Sequence, residues 1–126
     1  MKRPAERRRG ERRKLPNKLS HPLRLGKARL DELVEEATVD CYDEAEQASR
    51  LLTKLEDHLA LPFETEVLGV KVTVERLDAT LRGEIVAICA RGRERQTVPL
   101  LDLRLPSPPP AGFEWVEAYR RWSRGR

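Results

Sequence analysis

Leu30 to Leu61, LDELVEEATVDCYDEAEQASRLLTKLEDHLAL, is the stretch on which the fold turns. Its apolar positions Leu30, Leu33, Val34, Ala37, Cys41, Tyr42, Ala45, Ala48, Leu51, Leu52, Leu55 and Leu59 recur at spacings of three and four, the period of an amphipathic α-helix. The β-branched pair Thr38 and Val39 marks the point where such a helix would break, and Pro62 closes it, because the residue before a proline is pushed out of the α region. The same stretch holds ten carboxylates against only Arg50 and Lys54, a balance of minus eight in a chain of net charge +4. Carboxylates three and four residues apart repel each other. A helix so charged solvates its acidic face, pairs with basic segments of its own chain, or holds a cation.

The compensating charge lies upstream. Residues 1 to 29 carry twelve Lys or Arg against Glu6 and Glu11 and are punctuated by Pro4, Pro16, Pro22, Gly10 and Gly26. With so few apolar side chains this segment cannot offset the entropy of ordering, so residues 1 to 29 are expected to form a disordered basic arm. Residues 30 to 126 are then a single domain of 97 residues, long enough for one small core. Ser20 is the only serine of the arm, and its prolines interrupt any amphipathic helix, which disfavours an organellar transit peptide. No apolar run approaches a membrane span or a secretory signal. A cytoplasmic protein without membrane contact is the expectation.

Downstream of Pro62 the period changes to two. Val70, Val72 and Val74 alternate with polar residues, Ile85 to Ile88 follow Gly83, and Val98, Leu100, Leu101 and Leu103 follow the polar stretch Arg91 to Arg95. Three or four short antiparallel strands are predicted, with a hairpin turn at Gly92, as a meander like a small SH3-like barrel. Pro108 to Pro110 form a stiff connector to a short helix whose aromatic stripe, Trp115, Tyr119 and Trp122, is expected to pack on the sheet. The fold class is therefore α+β: an N-terminal amphipathic helix, a small antiparallel SH3-like β-meander or barrel, and a short C-terminal helix.

Catalytic signatures are missing from the sequence. There is no GxSxG, P-loop or HExxH, and His21 and His58 are far apart, so an enzyme is not expected. Cys41 and Cys89 have no partner at metal-ligand spacing and are read as reduced structural thiols. On the acidic helix, Glu36, Asp40, Asp43, Glu44 and Gln47 share a face, and carboxylate oxygens suit Ca²⁺, which takes six to eight of them. A helix face can supply only some of these. Glu75, Asp78 or Glu84 of the strand region, a carbonyl or water would complete the set, and on charge pattern alone a solvated acidic face that attracts the protein's own arginines is the favoured reading.

Val39-Asp40-Cys41-Tyr42-Asp43-Glu44-Ala45-Glu46, then Leu55-Glu56-Asp57 with Leu59 and Pro62-Phe63, Val70 to Leu77, Val98-Pro99-Leu100, Trp115 and Trp122 occur in an order and spacing that resemble the CcbP-like family of cyanobacterial and bacterial calcium-binding proteins. The resemblance covers about the last 97 positions. It implies a small α+β domain that binds Ca²⁺ through surface carboxylates outside any EF-hand, and Asp40, Asp43, Glu44 and Glu46 are the motif positions that carry over. Members of this family tend to be strongly acidic and to carry an acidic insert between the middle strands. Here only Leu77 to Glu84 occupies that place, which argues against a second cation site.

The expectation is thus a non-enzymatic calcium buffer or sensor, monomeric, with Ca²⁺ held by Asp40, Asp43, Glu44, Glu46, Glu36 and Asp78. The rival class is a basic nucleic-acid-associated SH3-like module that has lost the ion. Arg7 to Arg9 and Arg12 to Lys14 suit weak, non-specific phosphate contact, although the arm has no aromatic residue to stack on a base.

Overall fold

The computed structural model of the protein describes residues 25 to 125. Two helices, α1 (Lys27–Thr38) and α2 (Glu44–His58), precede four strands, β1 (Phe63–Val67), β2 (Val70–Ala79), β3 (Ile85–Arg91) and β4 (Glu94–Pro99). A 3₁₀ turn (Leu100–Asp102) and helix α3 (Phe113–Gly125) complete the order. Helix α1 starts at Lys27, inside the segment assigned to the basic arm, and residues 1 to 24 of that arm lie outside the described residues.

The acidic stretch is two helices rather than one. The Thr38 hydroxyl donates back to the Val34 carbonyl at 2.7 Å, the Cys41 amide closes a turn on Thr38 at 3.0 Å, and Asp40 takes a left-handed φ of 64°. That sequence of bonds ends α1 and redirects the chain. Tyr42 and Ala45, counted on the apolar face of a continuous helix, consequently fall outside it, and Tyr42 is 90 % exposed. Pro62 is not what stops α2. Leu59 already takes an extended conformation while its amide still reaches the Leu55 carbonyl at 2.9 Å.

The strands form an antiparallel meander in the order β1-β2-β3-β4, and the sheet is open. The expected barrel closure is corrected: β1 and β4 are edges with no ladder between them, and the helices, not the sheet itself, cover the inner face. Gly92, with φ 59°, opens the two-residue connection between β3 and β4, as the sequence predicts. The strand expected to run on to Leu103 stops at Pro99 and turns into the 3₁₀ segment, since proline has no amide hydrogen with which to extend the ladder.

Inward residues of the sheet, Val72, Val74, Leu77, Ile85, Ala87 and Cys89, meet Leu33 of α1 and Leu51 and Leu55 of α2. Leu51 and Leu55 are fully buried, each contributing on the order of 2 kcal/mol of transfer free energy. Trp115, Val116 and Tyr119 of α3 join the same core, but α3 lies chiefly against α1 and α2 rather than on the sheet. Its tie to the sheet is polar: the buried amide of Ile85 donates to the Tyr119 hydroxyl at 3.0 Å. Gly112, with φ 87°, lets the connector pass so close to the end of α2 that a Cβ there would meet the His58 backbone. The Ala60 amide fixes that approach by donating to the Ala111 carbonyl at 2.8 Å. Both cysteines are free thiols, and burial pushes the Cys89 thiol above its ordinary pKa. Among the described residues no helix is long and apolar enough to cross a membrane.

Candidate metal centre at the helix corner

The corner between α1 and α2 is built by its own carboxylates. Asp43 is the N-cap of α2, and its Oδ1 accepts the Glu46 amide at 2.8 Å. Glu46 reaches back so that its Oε1 accepts the Tyr42 amide at 3.0 Å. The two side chains thus satisfy amides that a helix start leaves without partners, and they bring negative charge to the positive end of the helix dipole. Each uses one carboxylate oxygen in doing so. The second oxygen of each has no partner among the described residues, and both side chains are exposed.

Asp40 stands three residues before the cap, exposed and without an ion-pair partner among the described residues. Aspartate is one of the few residues whose short polar side chain makes the left-handed region accessible, so the residue type and the conformation agree. Glu44 sits in the first turn of α2, also exposed. Asp40, Asp43, Glu44 and Glu46 are therefore gathered within one turn and the helix start that follows it.

The other two expected ligands lie elsewhere. Glu36 receives the Lys54 ammonium at 3.2 Å, an exposed pair that bridges α1 and α2. Asp78 is next to the inward Leu77, so alternation along β2 places it on the sheet face away from the helices. There its Oδ1 accepts the Ala79 amide at 2.8 Å and the Arg76 guanidinium lies 3.8 Å from Oδ2. Among the described residues no group of three or more His, Cys, Asp or Glu is positioned to hold a metal ion. The corner as it stands is a set of exposed carboxylates in which Asp43 and Glu46 are each anchored by a backbone amide.

Two features here were not anticipated. The cap pair Asp43 and Glu46 has a signal in the sequence, an aspartate followed three residues later by glutamate ahead of an apolar run. Lys54 has a less direct one. It is one of only two cations in the acidic stretch, and it stands above the Trp115 ring, 5.5 Å from its centroid, while His58 stacks on the same ring at 5.6 Å. Elsewhere on α1, Arg121 donates to Asp31 at 3.0 Å, and that hydrogen bond, with the guanidinium charge, holds the Asp31 carboxyl below its ordinary pKa. Trp122 donates its indole N–H to Gln47 Oε1 at 2.8 Å, tying α3 to α2 on the side of Gln47, which the sequence had placed among the possible cation ligands.

Comparison with family models, with curated proteins and with solved structures finds no match to this chain.

Proposed function

We propose that the chain is a non-enzymatic calcium-binding domain of the CcbP-like kind, with the ion at the α1–α2 corner. The observation that carries this reading is the pinning of Asp43 and Glu46 by backbone amides through one oxygen each, with the other oxygen turned to solvent. Ligands already fixed to backbone lose less rotamer freedom on binding than free surface carboxylates do. Asp40, in the turn before the cap, and Glu44, in the first turn of α2, are exposed and adjacent in the chain to the pinned pair. The resemblance of Val39 to Glu46 to the CcbP-like motif supports the same residues.

The ligand count also sets the strength. Three or four carboxylates leave roughly half of the six to eight oxygens of calcium to water and carbonyls, and a site of that kind belongs in the weak range, Kd on the order of 10⁻⁴ to 10⁻³ M. Magnesium sheds its water shell reluctantly and demands octahedral geometry that an exposed corner does not impose, so it should bind more weakly still. Calorimetric titration of the full chain with calcium, and with magnesium for comparison, is the test. A weak saturable calcium isotherm is expected. Indistinguishable heats for calcium and buffer would end the proposal.

A further inference from the structure

The β1–β2 connection carries a residue that the fold gives no reason for. Leu68 and Gly69 are its two central residues, with φ of 53° and 78°, the all-positive pattern of a type I′ hairpin turn. Asn-Gly is the pair this turn favours, because leucine in the left-handed region sets its Cβ against the following carbonyl at a cost of roughly 1–2 kcal/mol. A strained position is ordinarily repaid by burial. Leu68 is instead 98 % exposed. Both its conformation and its exposure therefore count against the isolated fold, which directs attention to what the side chain meets outside it.

Leu68 stands on the wall of a groove of about 590 Å³ at the end of the sheet that holds both hairpin turns. Val67, Val70, Val72 and Cys89 supply its apolar floor, and Arg91 and Glu94 stand on its rim. These two charges are exposed and form no ion pair among the described residues, unlike neighbouring Arg95, whose guanidinium reaches Glu75 at 2.8 Å. One patch thus contains an apolar knob, an apolar socket and one unpaired charge of each sign. That is the composition of a self-complementary surface: a two-fold axis through the rim sets each Leu68 in the facing groove and brings Arg91 of one copy to Glu94 of the other. Arg91 and Glu94 stand opposite each other across the β3–β4 ladder, so the rim presents both signs side by side, as a second copy of the same rim would.

We infer that this end of the sheet is a homodimer contact, with a second copy of the chain as the occupant of the groove and Leu68 as its anchor. The contact is independent of the calcium reading, since none of its residues belongs to the helix corner. Leu68→Asn tests it cleanly, because asparagine suits the left-handed turn position and keeps the monomer folded. Sedimentation velocity across a wide concentration range should show a monomer–dimer equilibrium for the full chain. Leu68→Asn should weaken it by roughly a hundredfold or more, since the two-fold axis makes one substitution remove two buried leucines. Arg91→Glu and Glu94→Arg should each weaken association, and the double charge swap should restore it. A full chain that is monomeric throughout, a Leu68→Asn variant that associates normally, or a double swap no better than either single change would each overturn the inference.

Discussion

Among the described residues, two corners hold the non-glycine residues with positive φ, Asp40 between the helices and Leu68 between the first strands, and they differ in how well the residue type suits the backbone. At the helix corner the residue type suits the backbone, the neighbouring Asp43 and Glu46 cap the helix that follows, and the local chemistry accounts for the local structure. At the strand corner the backbone asks for asparagine or glycine and receives an exposed leucine. Agreement between residue and conformation marks a position that the fold itself requires. Disagreement is what the proposed dimer contact would account for.

The comparison breaks most severely if left-handed positions are not tightly specified at all, and Gly112 is the place to ask. Gly112→Ala would force a Cβ into the His58 backbone at a φ of 87°, and a loss of about 2–5 kcal/mol is expected in urea unfolding. A loss below about 1 kcal/mol would mean that the connector moves aside freely. At the helix corner, Asp43→Ala should cost about 1 kcal/mol through the lost cap, whereas Asp43→Asn should leave stability nearly unchanged, because asparagine caps as well as aspartate. Equal losses for the two would show that the carboxylate charge rather than the cap sets the corner. At the strand corner, Leu68→Asn should raise the stability of the dilute, monomeric protein by up to about 1 kcal/mol, and a fall would show that the leucine serves the fold after all.

The smallest effect concerns the exposed charge pair that joins α1 to α3. Asp31 has its pKa depressed by the hydrogen bond from Arg121 and by that residue's charge. Its contribution to stability is therefore present above the unfolded-state carboxylate pKa and lost as pH falls through the lower folded value. An NMR titration should place the Asp31 midpoint below the ordinary carboxylate range, and Arg121→Gln should move it back up. An unmoved midpoint in that variant would assign the shift to something else.

Periodicity made the layers of the fold legible. The three-and-four spacing of Leu33, Leu51 and Leu55 and the alternation of Val70 to Val74 named core positions correctly, because burial on one face writes itself directly into those periods. Closure of the sheet has no such signature: whether β1 meets β4 depends on twist and on how the helices cover the inner face, and neither is recorded in any one strand. The split of the acidic helix was legible only in part. Thr38 and Val39 mark the break, but the left-handed turn at Asp40 follows from bonds between residues up to four positions apart. Of the expected ligands, Asp40, Asp43, Glu44 and Glu46 fall together because they are neighbours in the chain. Glu36 and Asp78 depended on tertiary placement, and there Lys54 and Arg76 stand beside them.

The proposed calcium site at the helix corner can be tested directly. Backbone amide shifts of the full chain, followed by two-dimensional NMR as calcium is added, can be compared with those of a variant carrying Asp40→Asn, Asp43→Asn and Glu46→Gln. These three changes remove charge while keeping the left-handed residue and both capping bonds available, so the corner should stay folded. Saturable shifts confined to residues 39 to 47 in the natural chain, and lost in the variant, are predicted. Calcium-dependent shifts centred instead on the Asp78 to Glu84 turn, or unchanged in the variant, would contradict the assignment of the site to the helix corner.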